Sequence, residues 1–147
     1  MNEAYRRQVK LLLDVLPEVA KEECFAMHGG TAINLFLQDM PRLSVDIDLT
    51  YVEIAERAET LDAINAALLR TKERIEKLSA SIRVQHNPNV CKLQISQQGV
   101  QIKIEVNMVG QWLTGVCSQN GTVFICARAI RRILCHADSP PWSALWR

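Results

Sequence analysis

The stretch Ser44 to Tyr51, SVDIDLTY, alternates between apolar and polar residues. Successive side chains of an extended chain point to opposite faces. Val45, Ile47 and Leu49 therefore share one face, and Ser44, Asp46, Asp48 and Thr50 share the other. The segment is predicted to be a strand with one face on a core. Its other face is unusual, because it carries two carboxylates about 6 to 7 Å apart along the backbone. Two like charges at that spacing repel. Something positive usually compensates them, either basic side chains or a divalent cation.

Upstream, Cys24 to Met27 (CFAM) is a short apolar run that reads as a buried strand, and Gly29-Gly30 breaks it. TAINLFLQ then reads as a short helix with Thr31 near its start. Glycines let a backbone approach a phosphate closely, and the N-terminus of a following helix adds free N–H groups and a positive dipole end. A glycine turn between a strand and a helix is common, and so is an aspartate pair. Gly-Gly, a gap of about fifteen residues, Arg42-x-Ser44-x-Asp46-x-Asp48 and a later strand glutamate form a far more specific combination.

That glutamate is Glu105. Val100 to Asn107 alternates with Ile102, Ile104 and Val106 on one face and Lys103, Glu105 and Asn107 on the other. A third carboxylate beside Asp46 and Asp48 would let two cations bind and clamp the attacking and leaving oxygens of a phosphoryl transfer. Mg²⁺ suits such a set, because it prefers oxygen ligands and is held by one or two carboxylates plus substrate phosphates. The plainer reading of Glu105 is a strand residue paired with Lys103 or another cation.

The rest of the chain supplies a frame. Tyr5, Val9, Leu12, Leu16 and Val19 recur at helical spacing over about Glu3 to Glu23, and Pro17 predicts a kink or two shorter helices. Ile54, Ala58, Leu61, Ile64, Leu68, Ile75 and Leu78 mark a long helix, about Glu53 to Ser79. Acids lie in its first half and bases in its second, which complements the helix dipole; these charges read as a solvated face. Ser81 to Gln85, Val90 to Ser96 and Val100 to Asn107 read as strands, the last two joined by a turn at Gln97-Gln98-Gly99. A weaker strand covers Thr122 to Ala127, and a short basic helix Ala129 to His136. The tail ADSPPWSALWR has no period. The alternation of elements predicts a single α/β (α+β) domain with a mixed sheet, with a core over 1–127 and a short helix and irregular tail over 128–147.

The 147 residues and the formal net charge of +1 suit one ordinary globular domain with no global basic field. No apolar run approaches the roughly 18 residues a membrane span needs, and the N-terminus lacks a signal-peptide pattern. Five cysteines, with no C-x-x-C pair, read as reduced thiols of a cytoplasmic protein. His28, His86 and His136 show no ligand spacing.

HGGTAINLF followed by RLSVDIDLTY resembles the AbiEii/AbiGii-type nucleotidyltransferase toxins, a branch of the DNA-polymerase-β-like nucleotidyltransferase superfamily. Gly29, Gly30, Thr31, Ala32, Asn34, Leu35, Arg42, Ser44, Asp46, Ile47, Asp48 and Leu49 match its pattern, and VQIKIEVNM fits its third acidic strand. The resemblance implies a mixed sheet packed with helices, with NTP as substrate and Mg²⁺ as cofactor. It implies that Gly29, Gly30 and Thr31 cradle the triphosphate, with Arg42, Ser44 and Lys103 in the same nucleotide site. Asp46 and Asp48 would hold metal; Glu105 would complete the set and help activate the acceptor hydroxyl. The implied reaction leaves NMP on a hydroxyl of RNA (tRNA included) or of protein, and a cognate antitoxin is the implied partner. His28 replaces the basic residue usual before the glycine pair, and no later Lys-plus-Asp segment follows. The alternative is therefore a truncated, catalytically inactive nucleotidyltransferase fold that binds NTP or another protein.

Overall fold

The structure is a computed structural model that describes residues 3–29, 45–53, 55–107, 116–119 and 122–136. Seven strands form one mixed sheet in the order β3-β4-β5-β2-β1-β7-β6. They are β1 (Phe25–His28), β2 (Asp46–Tyr51), β3 (Ile82–Asn87), β4 (Lys92–Gln97), β5 (Val100–Asn107), β6 (Val116–Gln119) and β7 (Thr122–Cys126). The described helices are α1 (Glu3–Val19), α2 (Arg57–Glu76) and α3 (Ala127–His136). The expected mixed α/β domain is the observed one.

Only the β2–β5 pair is parallel among the described pairings; the other neighbours run antiparallel. A parallel pair needs a long crossover, and α2 together with the β3–β4 hairpin provides it. The period-two pattern decides which face is covered. Ile47, Leu49, Leu93, Ile95, Ile102 and Ile104 are essentially inaccessible to water, as are Val15, Leu16, Ile64 and Leu68 of the helices. All belong to one cluster with Ile130 of α3. The three helices pack on that same side: α1 meets β5 and α2, α2 meets β3 and β4, and α3 meets α1, β1 and β7.

Several local expectations are corrected. α1 is one helix that runs through Pro17 and stops at Val19. Pro17 lies in its last turn, where its missing N–H forfeits a single bond, to the Leu13 carbonyl. α2 is shorter at both ends than its apolar spacing suggests, because Leu78 is about half exposed and no side chain caps the start at Glu56. Its basic residues are more than a solvated face. Arg70 donates to both carboxylate oxygens of the buried Glu22, at 3.2 and 2.8 Å, and Arg74 donates to the same carboxylate at 2.8 Å. The Gln98-Gly99 turn is as expected, with φ of +48° and +80°. The strand β6 was not anticipated. The helix expected at TAINLFLQ, the tail after His136, and Trp112, Trp142 and Trp146 lie outside the described residues.

Candidate functional site

β1 ends at His28, and the chain turns at Gly29 with φ +81°. That is the left-handed region, where a side chain is strained and glycine is not. Gly29 also has a neighbour. A Cβ placed there would lie 2.8 Å from Asp48 Oδ2. The first glycine of the pair thus touches the second aspartate of the strand. The register explains how: β1 and β2 run antiparallel with His28 opposite Asp48, at the roughly 4.8 Å spacing of neighbouring strands.

The same row continues across the sheet. Asp48 is opposite Glu105 on β5, and Glu105 is opposite Lys92 on β4. Residues opposite in register point to the same face, so His28, Asp48, Glu105 and Lys92 form a line over four strands, two acids flanked by two bases. One step along, Asp46 is opposite Lys103, which is opposite Gln94. The buried neighbours Ile47 and Ile104 point the other way. All of these polar residues are on the side of the sheet away from the three described helices.

The electrostatics match this geometry. The Asp48 carboxyl is pushed above its ordinary value, first by partial burial and further by the charges of Glu105 and Asp46; His28 works in the opposite direction. Asp48 therefore feels the charges of both other acids. Glu105 meets Lys92, whose Nζ lies 2.5 Å from Glu105 Oε1. The pairing with a cation that an ordinary strand glutamate would make is thus present, with Lys92 rather than Lys103.

The fit to a divalent cation is divided. Hard carboxylate oxygens on neighbouring strands, held where their charges repel, are the donors Mg²⁺ takes. Yet among the described residues no group of three or more His, Cys, Asp or Glu side chains is gathered so as to hold a metal ion. Asp46 and Asp48 suit one cation by charge and hardness, while Glu105 is engaged by Lys92.

Asp46, Asp48, Lys103 and Glu105 are thus brought together on two adjacent strands, β2 and β5, beside Gly29 at the end of β1. Gly30, Thr31, Arg42 and Ser44 lie outside the described residues. Lys92 was missed, although a signal for it existed. A two-residue turn at Gln98-Gly99 pairs Gln97 with Val100, and counting back along the hairpin reaches Lys92 opposite Glu105. A surface groove of about 760 Å³ adjoins this end of the row, lined by Lys72, His86, Asn87, Val90, Lys92 and Gln94 among others.

Cys24, Cys91 and Cys126 are free, and burial with the nearby Glu22 and Glu53 charges pushes Cys24 up to about 12. No described helix is long and apolar enough to cross a membrane.

A helix-backed mixed sheet with an acidic row beside a glycine turn defines an α/β protein with a polar site on the side of its sheet away from the described helices. Residues 10–116, well over half of the chain, match the family described as nucleotidyl transferase AbiEii toxin, type IV TA system. The chain belongs to the AbiEii nucleotidyltransferase toxin family. No curated protein and no solved structure matches it.

Proposed function

We propose that this chain is a Mg²⁺-dependent nucleotidyltransferase that moves NMP from an NTP to a hydroxyl of RNA, a tRNA end among the candidates, or of protein. The observation that carries the reading is the contact between the Gly29 turn and the Asp48 carboxylate. It joins the wall suited to phosphate with the wall suited to a cation. Family membership supports the class of reaction.

In this reading the backbone at Gly29 and Gly30 and the Thr31 hydroxyl receive the triphosphate, and Arg42, Ser44 and Lys103 add charge and hydrogen bonds. Asp46 and Asp48 would hold Mg²⁺, which would supply neutralisation of phosphate charge. The acceptor oxygen attacks the α-phosphorus and forms the new P–O bond. The bond from the α-phosphorus to the bridging oxygen breaks, and pyrophosphate leaves with that electron pair. The hydroxyl proton passes to Glu105 and on to solvent. The protein contributes position and electrostatics rather than covalent chemistry. The type IV system to which the family belongs implies an antitoxin as its partner.

Purified protein incubated with each radiolabelled NTP, Mg²⁺ and total RNA is expected to label RNA or itself, and the Asp46→Ala/Asp48→Ala variant is expected not to. No transfer with any NTP would sink the enzymatic reading.

The engagement of Glu105 by Lys92 favours a second reading, a nucleotide-binding fold without turnover. A Mg²⁺-dependent rise in melting temperature with NTP concentration, without label transfer, would be its signature. No shift near millimolar NTP would count against both readings.

A further inference from the structure

Lys92 is placed by the backbone more firmly than its long side chain suggests. β4 is paired on both sides, by β3 and β5. Just before Lys92 the chain passes through a left-handed residue, Cys91 with φ +48°, whose carbonyl accepts from the Val106 N–H at 3.1 Å. That bond pins the start of β4 to β5 beside Glu105. The Lys92 side chain is only 27 % exposed and the Glu105 side chain 46 %, so the pair is partly shielded from water. On its other side Glu105 faces Asp48 across the parallel pair.

We propose that Lys92 is a positioning residue that competes with a divalent cation for Glu105. The inference rests on the reading of Asp46 and Asp48 as cation ligands. In the nucleotide-free protein the Lys92 ammonium neutralises Glu105 and limits its repulsion of Asp48. Recruiting Glu105 to a cation requires Lys92 to let go. A lysine suits that role, because its charge is a strongly hydrated point on a flexible stem. An arginine fork would grip the carboxylate at two points.

The test is Mn²⁺ binding without nucleotide, followed by the paramagnetic signal of free Mn²⁺, in a cycle of variants. Lys92→Met is expected to tighten Mn²⁺ binding about fivefold, the scale of a partly exposed ion pair. Lys92→Arg should leave affinity at or below wild type. Lys92→Gln should behave as Lys92→Met does, and circular dichroism with thermal unfolding identifies the variants that fold. In a Glu105→Gln background the gain from Lys92→Met should vanish, because the competition runs through that carboxylate. Unchanged or weaker binding in folded Lys92→Met and Lys92→Gln overturns the proposal. So does an equal gain with Glu105→Gln, which would show that Lys92 acts through its field alone. Wild-type binding that is lost in Asp48→Asn but indifferent to Lys92 overturns only the competition. No wild-type binding at millimolar Mn²⁺, with or without NTP, overturns the cation site and the role of Lys92 together.

Discussion

At the scale of single residues, Gly29 meets two requirements at once. Its φ of +81° is one that side chains rarely adopt, and the space where a Cβ would go is taken by Asp48 Oδ2 at 2.8 Å. Either alone is tolerated in many proteins at some cost. Together they leave no simple relief, since rotating the backbone moves the turn and shifting Asp48 disturbs the acidic row. Gly29→Ala is expected to destabilise the fold by about 1–3 kcal/mol, read by urea denaturation. Label transfer should fall with it even at temperatures where the variant is folded, because the collision is with a site residue. Glu105 shows a different case, a residue whose partner follows from the hairpin register rather than from its own strand. Its alternation with Ile104 identified the polar face, and only the register of β4 brought Lys92 to it.

At the scale of elements, the link between α1 and α2 is electrostatic as well as apolar. Glu22, just past the end of α1, is 7 % exposed and accepts three hydrogen bonds from Arg70 and Arg74. Burial by itself would raise its carboxyl value, but the hydrogen bonds and charges of the two arginines outweigh that, and the net shift is downward. A carboxyl depressed in the folded state binds protons more readily when unfolded. Its contribution is therefore fully present above the ordinary carboxylate range and is lost as pH falls through the lower folded value. Glu22→Gln should cost about 2 kcal/mol at neutral pH, from lost charged hydrogen bonds. The difference from wild type should shrink in denaturation curves taken at decreasing pH below about 4. The turn between β4 and β5 yields a second prediction. Gln98 and Gly99 both have positive φ, as a two-residue type I′ turn requires, and Asn-Gly is the preferred pair there. Gln98→Asn should stabilise by about 0.5 kcal/mol, whereas Gly99→Val should destabilise by about 1 kcal/mol or more, both measured by thermal unfolding.

For the whole molecule, the central strands β2 and β5 link sequence-distant halves through the parallel pairing, flanked by β1 and β4. Their inward residues, Ile47, Leu49, Ile102 and Ile104, are almost completely buried in the shared core cluster. Amides there can exchange with solvent only by large-scale opening. Native-state hydrogen exchange should find the slowest amides in β2 and β5, and faster exchange in β3, which lies at one end of the sheet formed by the described residues. Uniform protection across the sheet would contradict that ordering.

Local pattern alone determined several features of this protein. Alternation marked β2 and β5, because a half-buried strand must present every second residue to the core. The apolar run before the glycines marked β1, and helical spacing marked α1 and α2. The glycine pair and the aspartate pair suggested two halves of one site by their chemistry and spacing, and the structure brings one residue of each, Gly29 and Asp48, together. The sheet order, the parallel β2–β5 pairing, the strand β6 and the Glu22 clamp were decided only in three dimensions. The physical reason is one of range. Periodicity and turn chemistry act over a few residues and record which way each side chain faces. Which strand lies beside which depends on contacts between residues up to about a hundred positions apart, as between His28 and the β7 strand, and no local pattern records those.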